Sequence, residues 1–315
     1  MGFFSSLFFP SKTEEEHQQK ASQKNFDILK YDGIRAQRVG KLEYAVKCFT
    51  EALKIQKDFE TMSYLMSACF VLNRYDEALE ALNGMLETGK EPAAILLMRA
   101  NLLFTMERYA EAAADCVQVL ELKPDSHIAC FQLARSKRAL GEPDKAIEQL
   151  DRAIGIKDDF AEGYALRAEI NLALGKGKAA LSDVEKLIDL APDDETAWLL
   201  RGRCNELLGD ASTAFGDYQQ AMELNPFNEE AYLLSGRLTM AQGKYGEAIA
   251  LFDEAIEHNE NFTGAYAARA LAKRQTGDHE GALADEEKAR DLNPDEKGKT
   301  SGNNNFDDLY KGNII

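Results

Sequence analysis

Apolar residues recur along this chain in a fixed register. Ala45, Ala78, Ala112, Ala146, Ala180, Ala214, Ala248 and Ala282 each sit inside similar apolar surroundings; the first interval is 33 residues and the next six are 34. Glycine recurs five residues before that alanine at Gly40, Gly141, Gly175, Gly209, Gly243 and Gly277, and proline returns at Pro124, Pro192, Pro226 and Pro294. The pattern predicts a repeated unit of helix, glycine turn, helix and proline-containing turn. Glycine suits the first turn because it takes positive φ at a helix end without steric cost. Asn73 can partly imitate it, and Glu107 is the one departure.

A second register runs through the second helices. Phe49, Leu82, Cys116, Leu150, Val184, Tyr218 and Phe252 share one position, which in the last unit is Glu286, beside Glu287. A lone helix pair cannot bury its apolar face, so the units are expected to stack into one quasi-linear body with a continuous core. Small residues let the paired helices approach each other. A carboxylate facing another repeat is costly, which marks the eighth unit as terminal.

A 34-residue helix–turn–helix unit with these residues resembles the tetratricopeptide repeat. In the unit that begins near Trp198, the matching positions are Trp198, Gly202, Gly209, Ala214, Tyr218, Ala221 and Pro226, with Tyr164, Tyr232 and Tyr266 in the slot of Trp198 elsewhere. Eight copies cover 26–58, 59–92, 93–126, 127–160, 161–194, 195–228, 229–262 and 263–296. The second departs most, with Met66 where glycine or alanine is usual, while Ala78 and Leu82 keep it in phase. The resemblance implies an all-α, right-handed superhelical solenoid.

Arginine precedes the small residue of the first helix in four copies, at Arg99, Arg167, Arg201 and Arg269. Sixteen residues later the same four carry Asp115, Asp183, Asp217 and Asp285. The other four copies have neither residue, so the arginines are expected to be structural, each paired across the two helices of its unit.

Charge and composition narrow the function. The net charge of −17 and a pI near 4.8 exclude a non-specific nucleic-acid binder, which needs a basic footprint. No run approaches about 18 uninterrupted apolar residues, so no helix is expected to span a membrane. Cys48, Cys69, Cys116, Cys130 and Cys204 fall at helix-core positions without a paired spacing, which reads as core filler in a reducing compartment. His17, His127, His258 and His279 form no ligand-spaced pair, so no metal is expected. Gly175-Lys-Gly-Lys178 lies in an inter-helix turn and lacks the full phosphate-loop spacing. With no catalytic motif and no cofactor motif, the chain reads as a non-enzymatic, cytoplasmic scaffold.

In tetratricopeptide repeat proteins the first helices line a groove for a partner's peptide or helix. The resemblance places Asn101, Arg135, Arg203 and Arg237 at the ninth slots of that groove and Arg138 and Arg274 at the twelfth. Phe104, Phe131, Leu97, Leu199, Leu233 and Met240 add apolar surface. Converging arginines favour an acidic or carboxylate-bearing peptide. Glu162, Glu169, Glu206 and Glu230 interleave with them, and the same residues can equally be read as ordinary solvated surface. The chaperone-tail clamp of some family members pairs lysine at the fifth slot with asparagine at the ninth. It is not matched, since Asn101 is preceded by Leu97 and Lys30 is followed by Ile34.

The flanks are short. Phe3, Phe4, Leu7, Phe8 and Phe9 open an apolar segment that leads into a polar stretch up to residue 25, without the basic start and cleavage site of a signal peptide. Three roles stay open for Phe3–Phe9: packing on the open end of the array, meeting a partner or second copy, or touching a membrane as a peripheral anchor. Residues 297–315 combine a flexible linker composition with an apolar end, FDDLYKGNII.

Overall fold

The computed structural model describes residues 12–293, with side chains from Glu16 onward. Phe3–Phe9 and the tail 297–315 lie outside the described residues, and so do the three roles left open for Phe3–Phe9. The described residues form sixteen α-helices and no strand. The chain divides between Ile156 and Lys157 into two compact bodies. The first holds α1 (Lys12–Arg38), α2 (Leu42–Ile55), α3 (Phe59–Val71), α4 (Tyr75–Glu87), α5 (Pro92–Thr105), α6 (Tyr109–Leu122), α7 (His127–Ala139) and α8 (Pro143–Ile156). The second holds α9 (Ala161–Ala173), α10 (Gly177–Leu190), α11 (Glu195–Leu207), α12 (Ala211–Leu224), α13 (Glu229–Ala241), α14 (Tyr245–His258), α15 (Thr263–Thr276) and α16 (His279–Leu292).

The turn inside every helix pair is closed in the same way. The glycines five residues before the repeated alanine have φ between 71° and 88°. The amide of the following residue bonds back to the carbonyl five residues earlier, as in Lys41 to Ala36 (2.9 Å) and Asp210 to Asn205 (2.8 Å). This is the helix-ending arrangement that left-handed glycine permits. Asn73 (φ 57°) and Glu107 (φ 59°) adopt it as well. Glu107 therefore carries a full side chain in a conformation that disfavours one.

The polar lead-in is the first part of α1. No glycine or proline interrupts Lys12–Asp32, and alanine, glutamate, glutamine and lysine support helix there. Glu16–Asn25 is exposed throughout, and packing begins at Phe26.

The second-helix register is the centre of the core. Phe49, Leu82, Cys116, Leu150, Val184, Tyr218 and Phe252 are all fully buried. Burying a large apolar side chain of this kind contributes about 1.5–3 kcal/mol. The three aromatics lie on glycines sixteen residues earlier: the rings of Phe49, Tyr218 and Phe252 occupy the space that a Cβ would need at Gly33, Gly202 and Gly236. Where the earlier position is Ala100, Ala134 or Ala168, the later one is the smaller Cys116, Leu150 or Val184. In the last pair the position is Glu286, half-buried and salt-bridged to Arg274.

All four arginine–aspartate pairs form. Nε and Nη2 of Arg99, Arg167 and Arg269 bond both carboxylate oxygens of Asp115, Asp183 and Asp285 at 2.6–2.9 Å. Arg201 holds one oxygen of Asp217, and the Asn205 amide donates to the other at 2.8 Å. All four aspartates are buried. Arg99 also reaches sixteen residues backward to Asn83 (2.7 Å), and Arg269 likewise to Asp253 (2.6 Å). One guanidinium thus ties three helices, the second helix of its own repeat and that of the repeat before. Trp198, Tyr164 and Tyr266 lie against the faces of Arg201, Arg167 and Arg269. These arginines are committed to the framework.

Candidate functional site

In the first body, α5 and α7 lie side by side and present one turn each to a shallow hollow. Ala100, Asn101 and Phe104 come from α5; Gln132, Arg135 and Ser136 come from α7. Helical spacing puts Asn101 and Phe104 on one face of α5, and Gln132 and Arg135 on one face of α7. The guanidinium of Arg135 stacks over the Phe104 ring, 4.2 Å from its centroid. Tyr109, at the start of α6, meets the same ring edge-on at 5.1 Å. The Ser136 hydroxyl donates to the backbone carbonyl of Gln132 (2.9 Å), and the Cys116 thiol donates to the Gln132 side-chain Oε1 at 3.9 Å.

Arg135 has no carboxylate partner among the described residues; its ring contact is its whole set of interactions. A guanidinium stacked this way keeps its five donors free for a ligand while its plane is held in place. Phe131 is half-buried on α7 but does not line the hollow, and Arg138 stands exposed in the last turn of that helix.

The second body treats its arginines differently. Arg237 pairs with Glu206, whose other oxygen accepts from the Tyr218 hydroxyl at 3.1 Å. Burial pushes the Tyr218 phenol up, and the Glu206 charge pushes it further, so it stays a donor to that carboxylate. Arg203 lies 3.7 Å from Glu230, and Arg274 pairs with Glu286. Two of the interleaved glutamates, Glu230 and Glu206, therefore neutralise Arg203 and Arg237 from within the chain, and Glu286 neutralises Arg274. Leu199, expected at the surface, is buried in the core around Tyr218; its side chain packs with Ala214 and Leu234.

Of the sequence candidates, the structure brings Asn101, Phe104 and Arg135 together. It adds a feature that the sequence reading passed over: Phe70 and Val71 are exposed on α3 one repeat earlier. Phe70 occupies the slot of Phe104 and, like it, meets a tyrosine five residues on, Tyr75, at 5.9 Å. The signal was present as the paired spacing Phe70–Tyr75 and Phe104–Tyr109.

Models of the tetratricopeptide repeat match residues 70–127 and 165–229 in one form and 103–170 and 207–274 in another, and together they run from 70 to 274. The chain belongs to the tetratricopeptide repeat family. Among solved structures, a tetratricopeptide repeat protein from Parabacteroides merdae is similar with a TM-score of 0.60 and 18% identity, covering 75% of this chain and 93% of its own. PilW, described as a widely conserved type IV pilus biogenesis factor, is similar with a TM-score of 0.57 and 20% identity, covering 65% of this chain and 95% of its own. At such identity the likeness shows the helical-repeat fold. No protein of curated function matches the chain. Tetratricopeptide repeat proteins generally mediate protein–protein interactions, and neither matched model is a catalytic family. Among the described residues, no helix is long and apolar enough to cross a membrane, and no cluster of histidine, cysteine, aspartate or glutamate could hold a metal.

Proposed function

We propose that the chain is a non-enzymatic scaffold that docks an acidic segment of a protein partner on the first helices of the third and fourth repeats, α5 and α7. The observation that carries this reading is Arg135, a guanidinium oriented by Phe104 and unpaired among the described residues of a chain with a net charge of −17. A carboxylate of the partner accepts a bidentate hydrogen bond from Arg135, a contact stronger than a neutral one. Asn101, exposed beside it, supplies an amide for the partner's backbone. Phe104 and Phe70 supply apolar contact for flanking side chains. Arg203, Arg237 and Arg274 already have glutamate partners, so they contribute less to an acidic ligand. Five free, buried thiols support a reducing compartment, the cytoplasm, as the place of action.

The test compares partner capture by wild-type protein, Arg135→Glu, and the control Arg203→Glu/Arg237→Glu, each first confirmed as helical. Partners recovered by the wild type and the control but lost with Arg135→Glu place binding at the α5–α7 hollow. Equal recovery by all three removes Arg135 from recognition and with it this reading.

A further inference from the structure

The first repeat lacks the cover that the other repeats of its body receive. At the third position of the first helix, Thr61, Ile95 and Ala129 are buried, but in the first repeat the residue is Ile28, 48% exposed. At the tenth position Ala68, Leu102 and Ser136 are buried, and the first repeat has Arg35, its side chain 82% exposed. Between them stands Tyr31, 59% exposed. Its counterpart Tyr64 stacks on Phe49 of the preceding repeat, with ring centroids 5.7 Å apart and planes at 15°. Tyr31 has no such ring among the described residues.

Side chains that can supply one lie a short way upstream. Phe3, Phe4, Leu7, Phe8 and Phe9 precede α1, which begins at Lys12. Pro10, Ser11 and Glu14 give the spacing of a helix start, so the chain leaves the line of α1 at that point. Helical rise sets Ala21 about 13 Å from Lys12 along the axis, Ile28 about 24 Å and Tyr31 about 28 Å. An extended segment advances about 3.3 Å per residue. Running back along α1, it brings Phe8 level with Ala21, at about 13 Å, and Phe4 between Ile28 and Tyr31, at about 26 Å. Ala21, Ile28 and Tyr31 share one face of α1, and Phe4 and Phe8 share one side of an extended segment. Lys24, exposed on that face, falls level with Ser6.

We infer that residues 3–9 fold back along α1 and cover Ile28 and Tyr31, with Phe4 against Tyr31 as Phe49 is against Tyr64. Both partners are apolar and both gain, because one contact removes the phenylalanines and the exposed face from water together. Lys24 does not oppose it: its aliphatic stem lies along the segment while the ammonium stays in water. Tethering selects this occupant over others. A segment joined to the helix that it covers, with enough contour to reach, meets the face at an effective concentration in the millimolar range. A second copy or a lipid surface in dilute solution meets it at far lower concentration, so the attached segment fills the face first.

The experiment joins segment and face by a disulfide in the full chain. Phe4→Cys/Ile28→Cys, oxidised mildly in dilute solution, should give an intrachain disulfide, since the five native thiols are buried. Phe4→Cys/Gln23→Cys is the control. Gln23 is exposed and nearer to the start of α1, but it lies about 140° around the helix from Ile28. A loose tether reaches both cysteines, whereas the fold-back predicts a several-fold higher yield with Ile28→Cys. A second measurement needs no cross-link: Tyr31→Cys should react with a thiol reagent several-fold faster when Phe4→Asp/Phe8→Asp are added, with circular dichroism unchanged. Equal yields at the two positions, disulfides formed only between chains, or a Tyr31→Cys rate that ignores Phe4→Asp/Phe8→Asp would each overturn the inference. So would flotation with phosphatidylcholine–phosphatidylserine vesicles that Phe4→Asp/Phe8→Asp abolishes, which assigns the segment to a membrane instead.

Discussion

Gly202 has no side chain because the ring of Tyr218 occupies the place where one would be. The pair sits at the crossing of α11 and α12, and Gly236 with Phe252 repeats it at α13 and α14. A methyl at either glycine overlaps ring carbons, not the mobile tip of a flexible chain. Gly236→Ala should destabilise by about 1–3 kcal/mol, the usual range for overpacking. The same change should be tolerated when Phe252 is also reduced to valine, the combination that Ala168 and Val184 already use. Denaturant unfolding of the two single variants and the double variant measures this coupling. Additive effects would remove the packing explanation.

Glu107 makes the opposite prediction. Its φ of 59° is imposed by the shared turn geometry, and six of the other seven residues in its register are glycines, Asn73 being the exception. The left-handed region costs a residue with a side chain about 1–2 kcal/mol. Glycine gives back part of that through the entropy of the unfolded chain, roughly 0.5–1 kcal/mol. Glu107→Gly should therefore stabilise the protein by about 0.5–1 kcal/mol, read as a raised melting temperature. The equivalent change in the other direction, Gly141→Glu, should lower it.

How much of this was legible beforehand differs between framework and site. The eight-fold register, the positive-φ turns and the four arginine–aspartate pairs each repeat along the chain, so covariation among the copies exposes them in a single sequence. The match between glycine and a ring sixteen residues later was equally available at Gly33, Gly202 and Gly236, and went unread because glycine and alanine look alike as small residues. The site is harder because it does not repeat. Arg135, Arg203 and Arg237 occupy the same slot, and only their neighbours distinguish them. Glu230 and Glu206 approach the latter two from adjacent repeats, while Phe104 approaches Arg135. Spacing within one helix carries no record of what the next repeat supplies. Leu199 was misplaced for the same reason, since burial by a neighbouring helix decided its environment.

The thiols should be silent in the folded protein. Burial pushes Cys69 up to about 11 and Cys116 and Cys204 up to about 12, leaving little thiolate at neutral pH. A chromogenic disulfide reagent at pH 8 should label these three slowly in native buffer and fully in denaturant. Fast native labelling of Cys116 would contradict the packing around α6 and α7.

Acid should act on the carboxylates that the framework holds charged. Burial alone would raise the Asp285 pKa, but hydrogen bonds from Arg269 and Lys273 outweigh it, and the carboxyl is held below its ordinary value. The same balance lowers Asp58, where burial is opposed by Thr61 and Lys30. A folded pKa below the unfolded one means that the unfolded chain binds protons first. The stabilisation is therefore complete above the ordinary carboxylate range, near pH 4, and is lost as pH falls through that range toward the depressed folded values. Stability measured by urea unfolding should be flat in this respect from about pH 7 to 5 and fall between about pH 4 and 2. Asp285→Asn should be less stable at neutral pH, because Lys273 loses its counter-charge and Arg269 keeps only Asp253 in a partly buried setting, and its acid dependence should be shallower. If the variant and the wild type lose stability in parallel as the pH falls, the Arg269–Asp285 pair is not a source of the acid sensitivity. The structural role assigned to this arginine would then rest on its bond to Asp253 and on packing against Tyr266.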